Sequence, residues 1–269
     1  MTNPAAPFAD FDCSRIDGLI FHPRPDFTAS PPGGAEDHMF VVEPGVAVGA
    51  RFFLSEPKNP DLLFFHGNGE IASDYDDLGP CFNRWGISLL VADYRGYGRS
   101  GGTPSVGTLL PDALAVFDQV HTWRTEQART GPFLVMGRSL GSAPAVEIAN
   151  QRKDRIAALI LDSAFAYSLP LLELLGIPVG SLGIREDDGF RNLEKIASVS
   201  KPTLLIAGSR DDLIPPSESE KLLEHSGAHR KELVLVPGAG HNDIFARCGE
   251  GYFDLIARFI KPLTRKQKR

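Results

Sequence analysis

The sequence predicts an α/β fold: an open, mostly parallel sheet that begins with an antiparallel hairpin and carries helices on both faces. Three observations carry that expectation. Apolar runs of strand length recur along the chain, and they are continuous rather than alternating, as strands buried on both faces are. Longer segments with apolar residues at helical spacing separate them. Glycine-bearing loops close most of the runs, where a strand must turn at the sheet edge.

Residues 1–35 read as an N-terminal extension, rich in proline and ending in "SPPGG". Residues 36–269 read as one domain. "MFVVEP" and "VAVGARFFLS" form the opening hairpin, and "DLLFFHG" and "ISLLVADYRG" are the next two strands. Pro111 to Glu126 reads as a helix opening on its proline, with Ala113, Val116, Phe117, Val120 and Trp123 at helical spacing. "PFLVMG" is a strand and Leu140 to Asn150, rich in small residues, a helix. "IAALILD" is the sixth strand, and a small cap insertion at 165–190 follows it. Its core, Phe165 to Ile184, suits either an acyl-chain surface or short helices packed on the body. "PTLLIAG" and "KELVLVPG" are the last strands. Between them, Ser217 and Glu220 suggest a capping box opening "ESEKLLEHS". Phe253, Ile256, Phe259 and Ile260 give the final helix one apolar face. No repeat of 20–50 residues is evident.

The net charge of -6 argues against nucleic acid as a partner, since phosphate binding needs a basic surface. The one basic cluster, "KPLTRKQKR" at Lys261 to Arg269, reads as a solvated tail, with weak contact to an anionic membrane surface as the alternative. Cys13, Cys81 and Cys248 are few, far apart and without a CxxC, which disfavours a disulfide framework or zinc site and fits a cytoplasmic location. The start, "MTNPAAPFADFD", lacks a signal-peptide pattern. No apolar run approaches the ~20 residues of a transmembrane helix.

Two stretches fit Gly-x-Ser-x-Gly, the pattern of a nucleophile elbow: "GRSGG" at Gly98 to Gly102 and "GRSLG" at Gly137 to Gly141. An elbow needs a buried strand before it and a helix after it, whose free N–H groups face a developing oxyanion. Ser139 has both neighbours. Ser100 sits in "DYRGYGRSGGTPS", which cannot start a helix for several residues, and reads as a turn former. Gly137 and Gly141 are expected where strand and helix backbones come close. A serine nucleophile needs a base held by an acid, and on a fold with an elbow of this kind the chain order is Ser, then Asp or Glu, then His. That order excludes His22, His38, His66 and His121. His225 and His229 fall on a polar, solvated face, which leaves His241 in "VPGAGHND". "LLIAGSRDDLIPP" supplies Asp211 and Asp212 as the acid, with Asp162 as the fallback.

Taken together, these residues resemble the α/β-hydrolase superfamily of serine hydrolases. "FFHGNGE" looks like the oxyanion loop, "DYRGYGRSGG" is similar to the loop after the fourth strand, and "GRSLG" looks like the elbow. "GSRDDLIP" and "GAGH" resemble the acid and histidine loops, with Ile214-Pro215 setting the register on Asp211. "GFRNLEKI" ahead of the acid loop resembles a lightly capped, single-domain branch that includes depalmitoylating thioesterases and bacterial members. The resemblance implies an α/β-hydrolase fold and a Ser139-His241-Asp211 triad. It also implies an oxyanion hole from the backbone N–H groups of Asn68 and Leu140, with His66 bracing its loop. The implied reaction is hydrolysis of a small-molecule carboxylic ester through an acyl-enzyme, with thioester and peptide or amide substrates as alternatives and no metal or organic cofactor. Serine at the elbow argues against dehalogenase or epoxide-hydrolase chemistry. A silent binding protein on the same fold is the non-enzyme alternative.

Overall fold

The computed structural model describes residues 14–28 and 30–265. Its strands are β1 (Ala35–Glu43), β2 (Val46–Phe53), β3 (Asp61–Phe65) and β4 (Ser88–Ala92), then β5 (Phe133–Arg138), β6 (Ala158–Asp162), β7 (Thr203–Gly208) and β8 (Lys231–Val236). They form one sheet in the order β1-β2-β4-β3-β5-β6-β7-β8. β1 pairs antiparallel with β2, and β2 with β4; all later pairings are parallel. β3 to β7 are buried at every position except Arg138, the partly buried last residue of β5, which explains why their sequences run apolar without alternation.

The helices are α1 (Ser14–Ile20), α2 (Gly79–Arg84), α3 (Val106–Glu126), α4 (Ser142–Gln151) and α5 (Ser168–Leu174), then α6 (Val179–Leu182), α7 (Asn192–Ala197), α8 (Pro216–His225), α9 (Ile244–Cys248) and α10 (Glu250–Arg265). One apolar cluster joins one face of the sheet to α3, α4, α7 and α8. A second joins the other face to α2, α9 and α10, with Phe82, Phe253 and Ile256 at its centre. Burial of these faces, at roughly 25 cal/mol per Å² of apolar surface, is the main force holding the layers together. Ile16, Ile20 and Phe21 also belong to the first cluster, so the segment ahead of the hairpin packs into the core. Cys13 and the end of the basic tail, residues 266–269, lie outside the described residues.

Two sequence expectations need correction. α3 begins at Val106, not Pro111, because Ser105 caps it: its hydroxyl accepts the Thr108 N–H at 3.2 Å. Pro111 lies inside the helix, which forgoes one i→i−4 bond there. α8 opens on Pro216, and no side chain bonds at its cap, so the Ser217/Glu220 box is absent. Pro216 presets the first-turn geometry. Glu218 turns inward instead, accepting the N–H groups of Ala166 at 3.0 Å and Tyr167 at 3.1 Å.

The chain crosses from β3 to β4 on one side and returns to β5 on the other, so the carboxyl ends of β3 and β5 are neighbours. Such a reversal opens a crevice at the strand ends, where ligands bind in sheets of this kind. Within the insertion after β6, Leu172, Ile177, Val179 and Ile184 are buried in the core, while Leu174 and Leu182 remain exposed. The short helices therefore pack on the body and still present an apolar outer rim.

Candidate active site

β5 ends at Arg138, and Ser139 follows with φ of 51°, in the left-handed region that a serine seldom occupies. A single turn, Ser139–Gly141, leads into α4. The glycines around it answer to space. A Cβ at Gly137 would stand 2.0 Å from the Gly141 carbonyl oxygen, and one at Gly141 would stand 2.0 Å from that of Phe65. Strand, loop and helix thus meet backbone to backbone, and the serine is left at the crest of a tight, strained turn.

His241 stands beside it. Its Nε2 lies 3.0 Å from Ser139 Oγ, and its Nδ1 lies 2.8 Å from Asp211 Oδ2. A carboxylate only accepts, so Nδ1 carries the proton and Nε2 is free to accept the serine O–H. The other oxygen of Asp211 accepts the N–H groups of Leu213 at 3.0 Å and Ile214 at 2.8 Å. That turn holds the Asp211 side chain fully out of water.

The remaining candidates fall elsewhere. Asp212 is exposed. Asp162 is buried but accepts the Tyr252 hydroxyl at 2.6 Å and makes no hydrogen bond to His241. Burial raises its carboxyl above the ordinary carboxylate range, against the pull of Arg138 and of the Tyr252 and Ser163 hydroxyls. Ser100 accepts the Gly49 N–H at 2.9 Å, which ties its loop to β2. His66 is fully buried, with Nδ1 2.8 Å from the Gly67 carbonyl oxygen and Nε2 3.2 Å from Asp93. His225 and His229 are exposed.

The loop after β3 is positioned from two directions. Asn68 uses its side chain to hold the N-terminal segment: its amide donates to the Ile20 carbonyl, and its Oδ1 accepts from His22 N–H at 3.1 Å and the Tyr97 hydroxyl at 2.7 Å. Leu140, the other expected donor, directly follows Ser139 and is buried. Among the described residues, no group of three or more His, Cys, Asp or Glu side chains is placed to hold a metal ion.

Sequence reasoning overlooked Arg138 and Glu70. Arg138 Nη2 donates to the His241 carbonyl and to Asn242 Oδ1, each at 2.9 Å, while Nη1 pairs with Glu70 Oε1. Glu70 Oε2 accepts the Gly67 N–H at 2.7 Å and the Tyr75 hydroxyl at 2.6 Å. Burial pushes the Glu70 carboxyl up, yet Arg138, Tyr75 and the Gly67 N–H outweigh it and hold the group below the usual carboxylate range. Both residues stood inside quoted motifs, as the arginine before the elbow serine and the glutamate closing "FFHGNGE". Beside them is a cavity of about 230 Å³, polar at Arg138, Glu70 and Asp162 and apolar at Phe64, Met136 and Phe253. A second, of about 200 Å³, lies between α5 and the acid loop, lined by Phe165, Leu171, Leu174, Leu213 and Ile214.

Comparison with known proteins adds three kinds of likeness. Residues 56–176 match the family model described as serine aminopeptidase, S33. The chain is 35% identical over 244 residues to an uncharacterized protein of Mycobacterium tuberculosis, covering 88% of this chain and 83% of that one. It is 34% identical over 230 residues to the alpha/beta hydrolase domain-containing protein 17C of Xenopus laevis, covering 81% and 67% respectively. Among solved structures, the Pyrococcus furiosus esterase Pf2001 aligns with a TM-score of 0.72 at 20% identity, over 90% of this chain and 99% of that one.

Proposed function

Because the chain belongs to the α/β-hydrolase superfamily, we propose that it is a serine hydrolase that cleaves carboxylic esters through an acyl-enzyme. The observation that carries this reading is the continuous contact from Asp211 through His241 to the strained Ser139. His241 Nε2 takes the Ser139 proton as Oγ forms a bond to the substrate carbonyl carbon. Asp211, held by two backbone N–H groups, fixes the ring and stabilises its charged form. The backbone N–H groups of Asn68 and Leu140 receive the oxyanion, where the loss of one donor costs about 10²–10³ in rate. The imidazolium then protonates the departing alcohol. Water, activated by the same imidazole, releases the acid and restores Ser139.

The apolar groove between α5 and the acid loop suits the substrate's acyl group or another uncharged part. It rests against Leu213 and Ile214, the two residues whose N–H groups hold Asp211. Among the described residues, no helix is long and apolar enough to cross a membrane. We place the protein in the cytoplasm on its sparse, dispersed cysteines. A fluorophosphonate probe should label the wild-type protein and spare Ser139→Ala. Labelling that survives in that variant overturns the assignment. The description of the matching family model gives a second reading, removal of an amino-terminal residue from a peptide. Aminoacyl p-nitroanilides beside p-nitrophenyl esters and acyl-thioesters of graded chain length decide between them.

A further inference from the structure

We propose that Arg138 is a positioning residue for this reaction: its guanidinium clamps the main chain of the His241 loop to the loop after β3, and so sets where the imidazole stands over Ser139. Arg138 has this role only if Ser139 and His241 react as proposed above.

The geometry is a chain of contacts across three loops. Gly67 N–H donates to one oxygen of Glu70, the other oxygen pairs with Arg138 Nη1, and Arg138 Nη2 forks to the His241 carbonyl and Asn242 Oδ1. Those loops follow β3, β5 and β8, and they bear Asn68, Ser139 and His241. Arg138 is also the residue before Ser139, so one main chain carries both the nucleophile and the clamp on its base. A planar guanidinium with donors in a fixed fork suits this task; a lysine ammonium has the charge without the geometry.

Other hydrogen bonds hold the loop ahead of the histidine: Gly238 N–H donates to Ser209 Oγ at 2.8 Å, the Ala239 carbonyl accepts the Arg210 N–H at 2.8 Å and Gly240 N–H donates to Asp243 Oδ1 at 2.6 Å. The carbonyl of His241 itself is held by Arg138. The loop's sequence, "PGAGH", has glycines three residues and one residue before the histidine, and Gly238 has φ of 73°. Asp211 holds the ring at Nδ1, and Arg138 holds the backbone of the same residue. Two fixed points determine where Nε2 lies; with the backbone point gone, the 3.0 Å separation from Ser139 Oγ is free to lengthen. Glu70 is held below the usual carboxylate range, so its pair with Arg138 persists into the acid range.

The test compares Arg138→Lys and Arg138→Met in the full-length protein, using p-nitrophenyl butyrate turnover, the rate of fluorophosphonate labelling and thermal melting. Both variants should fold. Turnover should fall about 10-fold in the lysine variant and about 100-fold in the methionine variant, the scale of an ångström-sized misplacement of a reacting group. KM should change little, and labelling should slow in parallel. Ethylguanidinium in solution should restore part of the methionine variant's turnover, since the cavity beside Arg138 gives it a way in. The proposal is overturned if Arg138→Met turns over within about twofold of the wild type, or if its loss equals its unfolded fraction and no guanidinium rescues it. Should the methionine variant fail to fold, Arg138→Lys decides alone: undiminished turnover sinks the clamp. A wild-type protein that is not labelled at Ser139 removes the reading of the site itself, which is a separate outcome.

Discussion

Two five-residue stretches, Gly98 to Gly102 and Gly137 to Gly141, share a pattern and even an arginine before the serine, yet the fold puts them to opposite uses. At Ser139 the backbone is strained and the hydroxyl faces an imidazole. At Ser100 the hydroxyl is spent on a backbone N–H, that of Gly49. Arg138 is mostly buried and bridges Glu70 to the His241 loop, whereas Arg99 is one-third exposed and reaches Asp26, Asp37 and the Thr28 carbonyl. The glycines differ in kind as well. Gly137 and Gly141 are needed for close approach of backbones, while Gly98 has φ of 56° and lies against Asp93. A motif therefore specifies neither chemistry nor conformation by itself; the elements before and after it do.

The sharpest way to break that contrast is to remove each hydroxyl. If Ser139 is the nucleophile as proposed, Ser139→Ala should lower ester hydrolysis by about 10⁴-fold or more, because the substitution removes the hydroxyl that carries the acyl group. Ser100→Ala should keep turnover per folded molecule. Steady-state kinetics on both variants would reverse the assignment if the losses were exchanged.

The next largest effect separates the glycines. Gly137→Ala places a methyl group against a carbonyl oxygen and should destabilise the fold by about 3 kcal/mol or more, measured as a urea midpoint. Gly101→Ala, at the fourth position of the other stretch, meets nothing closer than the Ala47 carbonyl oxygen at 3.8 Å. Its stability should lie within about 0.5 kcal/mol of the wild type. Equal effects would mean that the elbow is looser than its contacts imply.

This contrast also marks what was legible in the sequence. The strand before Ser139 and the small-residue helix after it were readable because burial on both faces leaves a continuous apolar run, and tight helix–sheet packing selects small residues. The two strand-closing loops that bring Asp211 and His241 together beside Ser139 were visible as glycine-bearing ends of apolar runs. Glu70 and Arg138 were not, although both stood in quoted motifs, because an ion pair across 68 residues leaves no periodicity. The start of α3 was misplaced for a local reason: proline marks a helix boundary by tendency, and a serine cap upstream outweighed it.

Beneath the elbow, a partly buried carboxylate, Glu70, and a fully buried one, Asp162, experience Arg138 with opposite results, which yields a pH prediction. Glu70 is held below its usual range, so its contribution to stability is present above the unfolded value, about 4.3, and fades as pH falls through the lower folded value. Asp162 is raised, mainly by burial, so its stabilising effect is complete below about 3.9 and is lost as pH rises through its folded value. Asp162→Asn keeps an acceptor for the Tyr252 hydroxyl and removes the titration. The variant should gain stability relative to the wild type as pH increases from mildly acidic to neutral, read from urea midpoints across that range. A wild type that gains instead would show that Arg138 outweighs burial at Asp162 as it does at Glu70.

The smallest effect is the cost of Ser100→Ala to the fold. The Gly49 N–H lies at the junction of β2 and the glycine-rich loop, and Ser100 Oγ is its hydrogen-bond acceptor. Leaving a buried donor unpaired costs about 1–3 kcal/mol, toward the lower end where water can enter. The Ser100 backbone N–H also donates to the Tyr97 carbonyl at 2.8 Å, and Tyr97 donates to Asn68 Oδ1. The backbone bond survives the substitution, so the Tyr97 hydroxyl should stay on Asn68 and turnover should hold while the urea midpoint drops. A variant that loses turnover without losing stability would mean that the Ser100 hydroxyl reaches the site through Tyr97 and the loop after β3, and the two stretches would then be parts of one machine rather than a nucleophile and a brace.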